Sequence, residues 1–126
     1  MLKDALYKVI SLNKQANSID ATLELNIDDP IFSGHFPGQP VLPGACMLQM
    51  VKEVLEQVFE KPIRLKVADQ MKFLKMVDPI ANKMMILRMD YVIDGESVLI
   101  TAIMSAGEEV VFKLKGVFLF IGDSEH

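Results

Sequence analysis

The chain has 126 residues, half of them hydrophobic, and a formal net charge of −4. That is enough for one domain, 1–126, around one core; it excludes a disordered chain and argues against nucleic-acid binding. No stretch approaches the roughly 20 apolar residues of a membrane span, the single Cys46 leaves no internal disulfide, and MLKDALYKVI lacks the apolar centre of a signal peptide, so a cytoplasmic protein is expected.

SIDATLELNI alternates without a fault, with Ile19, Ala21, Leu23, Leu25 and Ile27 on one side and Asp20, Thr22, Glu24 and Asn26 on the other. Period two predicts a half-buried strand. DDPIFSGHFPGQPVLPG has turn formers throughout and reads as a long, ordered loop. Pro43 and Gly44 then open a helix of about four turns, ending near Glu60, since proline suits a first helical position where no N–H is needed. Its first turns are apolar on nearly every side, through Ala45, Cys46, Met47, Leu48, Met50 and Val51, so something must wrap them. Later turns place Val54, Leu55, Val58 and Phe59 inward and Lys52, Glu53, Glu56, Gln57 and Glu60 opposite.

After Pro62 every segment reads as strand. IRLKVADQMKFLKMV is apolar and basic by turns, and MMILRMDYVI puts Met85, Leu87, Met89, Tyr91 and Ile93 on one face. Asp94-Gly95 is a hairpin turn, SVLITAIMS follows, and a turn at Ala106-Gly107-Glu108 leads into EVVFKLKGVFLFI. One long helix and several antiparallel strands give an α+β fold with the sheet curled around the helix.

The window from Lys61 to Lys75 holds Lys61, Arg64, Lys66, Lys72 and Lys75 against Asp69 alone. It is either a solvated strand face or a basic patch for an acidic partner. Cys46 has two readings as well: a small buried hydrophobe, or a nucleophile activated at a helix N-terminus. Nothing has metal-ligand spacing or the form of a phosphate-binding glycine loop, and no metal or cofactor is implied.

His35, Phe36, Pro37, Gly38, Gln39, Pro40, Val41, Leu42, Pro43 and Gly44 form a ten-residue run. It resembles the active-site segment of the β-hydroxyacyl-(acyl-carrier-protein) dehydratases, the FabA/FabZ type of the hot-dog fold. Asp29-Pro30 and Phe32 ahead of it, and Asp69, Lys72 and Phe73 behind it, are similar to further elements of that family. The resemblance implies an antiparallel sheet around a central helix, paired as a homodimer or heterodimer with each site shared, so that one sheet edge is covered. It implies His35 as the acid/base residue, its ring held by the Val41 carbonyl, and the Gly44 N–H on the thioester carbonyl. Phe36, Pro43, Val41 and Gly44 would bind substrate. The substrate would be a 3-hydroxyacyl thioester on an acyl carrier protein, and Lys72, Lys75, Arg64 and Lys66 would dock that acidic carrier.

In the family an acidic residue stands fourteen positions after the histidine; here that position is Gln49. A glutamine donates hydrogen bonds but gives up no proton. Several readings follow. Gln49 holds the hydroxyl while His35 makes both proton transfers; or Glu53, one turn on, reaches in through water, unless it is simply part of a solvated stripe. Alternatively, the chain is a degenerate half of a heterodimer, a hot-dog thioesterase, or a non-enzymatic acyl-thioester binder.

Overall fold

The structure, a computed structural model, describes residues 1–33 and 38–122. His35 and Phe36, and the terminal His126, lie outside the described residues. Among the described residues the order is β1 (Tyr7–Lys14), β2 (Ser18–Leu25), a short 3-10 turn (Pro30–Phe32), α1 (Gly44–Phe59), β3 (Ile63–Phe73), β4 (Met84–Asp94), β5 (Ser97–Ala106) and β6 (Glu109–Phe120). The strands form one six-stranded sheet in the order β1-β2-β4-β5-β6-β3, antiparallel at every pairing. The sheet packs its inner face on α1, as the α+β reading expected.

The alternating patterns settle which face is inner. Ile19, Ala21, Leu23 and Leu25 of β2 are buried, as are Met85, Leu87, Met89 and Tyr91 of β4 and Val98, Ile100, Ala102 and Met104 of β5. These meet Met47, Met50, Val51, Val54 and Leu55 of the helix. Each large side chain so buried contributes about 1.5–3 kcal/mol. Two turns hold the β4-β5-β6 meander together, and both need a residue at positive φ: Gly95 at 60° and Gly107 at 62°.

Several expectations change. Ile27 and Ile93 are exposed, at 47% and 48%, because each lies at or past the end of its strand. The segment before β2 is a strand as well; β1 pairs along β2 with one irregularity between Val9 and Ser11. The sheet therefore has two edges among the described residues, β1 and β3. The start of α1 is not enclosed on all sides, since Ala45 is exposed. Glu53 is buried, not solvated: it is 1% exposed and is the one buried charged side chain among the described residues.

The curl of the sheet shows at β3, whose register against β6 slips between Leu65 and Val67 and again between Ala68 and Gln70. Gly116 of β6 faces this irregular stretch. A Cβ there would stand 2.6 Å from the Val67 carbonyl oxygen, which is backbone. A Cβ at Gly44 would meet the Phe73 ring at 2.7 Å, but that ring is half exposed and can swing. Gly116→Ala is expected to destabilise the protein by about 1–3 kcal/mol, and Gly44→Ala by less, in urea unfolding. Equal costs would contradict the close approach at β6.

Candidate active site

The helix begins without a side-chain cap. Pro43 has φ −62° and ψ 143°, and no acidic residue follows in the first turn. The Cys46 N–H turns back to the Pro43 carbonyl at 3.0 Å. The Gly44 and Ala45 N–H groups have no acceptor among the described residues. A helix N-terminus of this kind concentrates partial positive charge and unpaired donors. The entering chain is fixed by the Leu42 N–H, which donates to the Val77 carbonyl at 2.9 Å and ties it to the segment after β3.

A cleft of about 590 Å³ opens at this point, lined by Val41, Pro43, Gly44, Ala45, Phe73 and Met76, among others. Three of the residues expected to bind substrate, Val41, Pro43 and Gly44, thus come together. Phe36 and His35 fall outside the described residues. The Phe73 ring rests where a side chain at Gly44 would stand and stacks on Phe112, with centroids 5.1 Å apart. Phe73 belonged to the matching sequence pattern, but nothing in that pattern placed it against the helix start.

Gln49 lies one turn into α1, on the same helical face as Ala45. Its Nε2 donates to Glu53 Oε2 at 2.9 Å. That carboxylate takes three more bonds: from the Leu2 N–H to Oε2 at 2.9 Å, from the Lys3 N–H to Oε1 at 2.8 Å, and from the Tyr7 hydroxyl to Oε1 at 3.1 Å. Burial pushes the Glu53 carboxyl up. The donors Leu2, Gln49, Lys3 and Tyr7 together outweigh it and hold the group below the usual carboxylate range. Tyr7 responds oppositely: burial first, then the Glu53 charge, raise its phenol far beyond the ordinary range. Glu53 is therefore ionised and occupied by protein donors. It is neither a solvated residue nor a spare acid reaching the cleft through water. Sequence reasoning missed this because the N-terminal segment supplies the donors.

Cys46 is buried, and burial, followed by the charges of Asp29 and Glu53, pushes its thiol up. That is the behaviour of a small hydrophobe and the opposite of an activated nucleophile. Among the described residues, no group of three His, Cys, Asp or Glu side chains could hold a metal. No helix there is long and apolar enough to cross a membrane.

The basic residues divide. Arg64, Lys66 and Lys72 are exposed, on β3. Lys75 lies beyond the strand and pairs with Glu109 at 2.6 Å. Lys72 stands directly across from Lys113 of β6, and Lys115 follows two residues on, across from Gln70. The cationic stripe therefore spans two strands, and a window of consecutive residues captured only one of them.

Residues 11–110 match the model of the ApeI-like family, described as ApeI dehydratase. The chain belongs to the ApeI-like dehydratase family. Its similarity to the FabZ 3-hydroxyacyl-[acyl-carrier-protein] dehydratases is more distant. It is 32% identical to that of Haemophilus influenzae (strain PittEE) over 53 residues, 42% of this chain and 36% of the relative. It is 39% identical to that of Chlamydia pneumoniae over 46 residues, 36% of this chain and 30% of the relative. The matched stretch thus spans about a third of the length of the curated relatives.

In architecture the chain is similar to the dehydratase heterocomplex ApeI:P from Xenorhabdus doucetiae, with a TM-score of 0.74 at 20% identity over 88% of this chain and 96% of that one. It is also similar to a thioesterase from Haemophilus influenzae, with a TM-score of 0.67 at 13% identity over 97% of this chain and 83% of that one. These likenesses establish the hot-dog fold. The family description concerns a dehydratase, while the fold is shared with a thioesterase.

The Glu53 network has a pH signature. Its carboxyl ionises lower in the folded protein than in the unfolded chain. The stability it contributes is thus present above the unfolded carboxylate pKa of about 4.3 and is lost as pH falls through the lowered folded value. Glu53→Gln is expected to lower stability at pH 7 by about 1–3 kcal/mol and to flatten its decline in acid, read by urea unfolding from pH 3 to 7. A variant with the same acid slope as the parent would place the acid sensitivity elsewhere.

Proposed function

We propose that this protein eliminates water from a 3-hydroxyacyl thioester carried by an acyl carrier protein, giving a trans-2-enoyl thioester in fatty-acid or related acyl-chain synthesis. The observation that carries the reading is the helix start at Gly44, which closes the ten-residue run from His35, with N–H groups unpaired among the described residues beside an apolar-walled cleft. Membership of a dehydratase family supports it.

In this mechanism the thioester carbonyl lies on the Gly44 N–H. Developing enolate charge on that oxygen is stabilised by the N–H and by the positive end of the helix. The carbonyl also acidifies the α-proton, which His35 removes as base. The resulting imidazolium delivers that proton to the departing β-hydroxyl, and the C–O bond breaks as the double bond forms. One proton leaves carbon, one arrives on oxygen, and the histidine ends neutral. Gln49 holds the hydroxyl without exchanging a proton, in the position where the resembling family carries an acid. No cofactor takes part.

The working unit is a dimer of hot-dog chains. The open helix face at Ala45, and the edge strand β3 with exposed Val67, Met71 and Phe73, support pairing. A second hot-dog chain as partner is favoured by the likeness to a dehydratase heterocomplex. The carrier docks on the cationic stripe of Arg64, Lys66, Lys72, Lys113 and Lys115, whose Lys72–Lys113 end adjoins Phe73 at the cleft; Lys75, engaged with Glu109, has a smaller part.

The test is incubation with a 3-hydroxyacyl carrier-protein thioester and mass spectrometry of the product. Loss of water is expected, and His35→Ala should abolish it. Charge reversal at Lys72 and Lys113 should slow the carrier-bound substrate and leave a short pantetheine thioester unaffected. Release of free acid would replace dehydratase with thioesterase. Turnover only after a second hot-dog chain is added would make this chain one half of a heterodimer.

A further inference from the structure

The Glu53 carboxylate is held by four donors, and the reaction as written makes no use of it. It is 1% exposed and accepts four hydrogen bonds, two on each oxygen. Three donors come from the N-terminal segment: the Leu2 and Lys3 amides and the Tyr7 hydroxyl. The fourth is the Gln49 carboxamide. An ionised carboxylate can only accept hydrogen bonds, so it fixes which end of the Gln49 amide faces it. The nitrogen must turn toward Glu53, and the oxygen is turned away. Gln49 is only partly buried, and no donor among the described residues reaches its Oε1. One turn earlier on the same face lies Ala45, which lines the cleft.

Resting on the dehydratase reading above, we infer that Glu53 is a positioning residue for specificity: by anchoring the Gln49 amide through its nitrogen, it presents the amide oxygen as an acceptor for a donor group on the β-carbon of the acyl chain. A 3-hydroxyacyl thioester offers such a donor in its O–H. A 3-oxoacyl thioester offers only a second acceptor, and two facing oxygens repel. The orientation also suits the elimination. A hydroxyl that donates its hydrogen to Gln49 keeps both lone pairs free to take the returning proton. An amide turned the other way would occupy one of them. Gln49 thus acts as an acceptor of fixed polarity, and the polarity is set by a residue that never touches the substrate.

Nuclear magnetic resonance of the side-chain amides tests the anchoring without any substrate. The Gln49 resonances are assigned by their loss in Gln49→Ala. In the intact protein at neutral pH these protons should exchange with water on the order of tenfold more slowly than those of Gln57, which is exposed. Glu53→Gln should abolish the difference, and acidification through the Glu53 titration should do the same in the unmutated chain, which covers the case of a variant that fails to fold. Tyr7→Phe removes a different donor from the same carboxylate. It should lower stability and leave Gln49 protected. Equal exchange of Gln49 and Gln57 in the intact protein overturns the proposal.

Calorimetry with stable amide-linked pantetheine analogues tests the consequence. The intact protein and Tyr7→Phe should bind the 3-hydroxyacyl analogue roughly tenfold more tightly than the 3-oxoacyl analogue. In Glu53→Gln the ratio should fall toward one. A ratio that survives Glu53→Gln, or is absent from the intact protein, overturns the role in specificity. If the intact protein shows both the protected amide and the binding ratio but turns over no 3-hydroxyacyl thioester, alone or with a second hot-dog chain, the dehydratase reading fails and the positioning stands.

Discussion

A single carboxylate joins the two parts of this protein that the sequence keeps far apart. Taking the Glu53 charge out of water carries a cost of several kcal/mol unless the lone pairs are matched. Four donors match them, and three come from residues 46 to 51 positions away. The N-terminal segment is thereby fastened to the side of α1, at the turn that carries Gln49. Since the same segment leads into β1 and so onto β2, the helix is registered against one edge of the sheet by a polar contact within an apolar interior. The hydrophobic core fixes which face of α1 is inward. The carboxylate fixes where along that face the first residues lie.

The opposite arrangement holds at the helix start. There the backbone donors of Gly44 and Ala45 have no partner among the described residues, and no side chain caps them. A stable helix usually meets this need with Ser, Thr, Asp or Asn. Pro43 instead supplies a stiff entry and no side-chain acceptor. Well-satisfied polar groups at Glu53 and unsatisfied ones at Gly44 thus divide the helix into an anchored part and a receptive one. The division follows from residue chemistry: a fixed negative charge finds its donors within the chain, and proline offers the first helical N–H groups no side-chain acceptor.

What the sequence revealed depended on the range of the interaction. The strands β2, β4 and β5 could be read because alternation is a local property, and the β4-β5-β6 turns because Gly95 and Gly107 mark them. The helix could be read from Pro43 to Glu60 for the same reason. β1 escaped notice: its residues alternate poorly, and as an edge strand it is buried in only a few places. Glu53 was misjudged because helical periodicity placed it among Lys52, Glu56 and Gln57, while the segment that covers it comes from the other end of the chain. The basic patch was half visible, since Lys113 and Lys115 join Lys72 only through the pairing of β3 with β6. The His-Phe-Pro-Gly run pointed to a FabA/FabZ-type dehydratase, where the family match is to the ApeI-like dehydratases, and it gave no hint that the Gln49 amide had a partner.

The chain has no tryptophan and two tyrosines. One of them, Tyr7, is fully buried with its hydroxyl on the Glu53 carboxylate, and its phenol resists ionisation for as long as that contact lasts. Its near-ultraviolet absorption in alkaline solution therefore carries information about one hydrogen bond. The tyrosinate band of Tyr7 stays dark while the N-terminal segment is fastened to the helix and appears when it lets go. The protein thus carries its own optical indicator of the contact between its N-terminal segment and the helix, with no label attached.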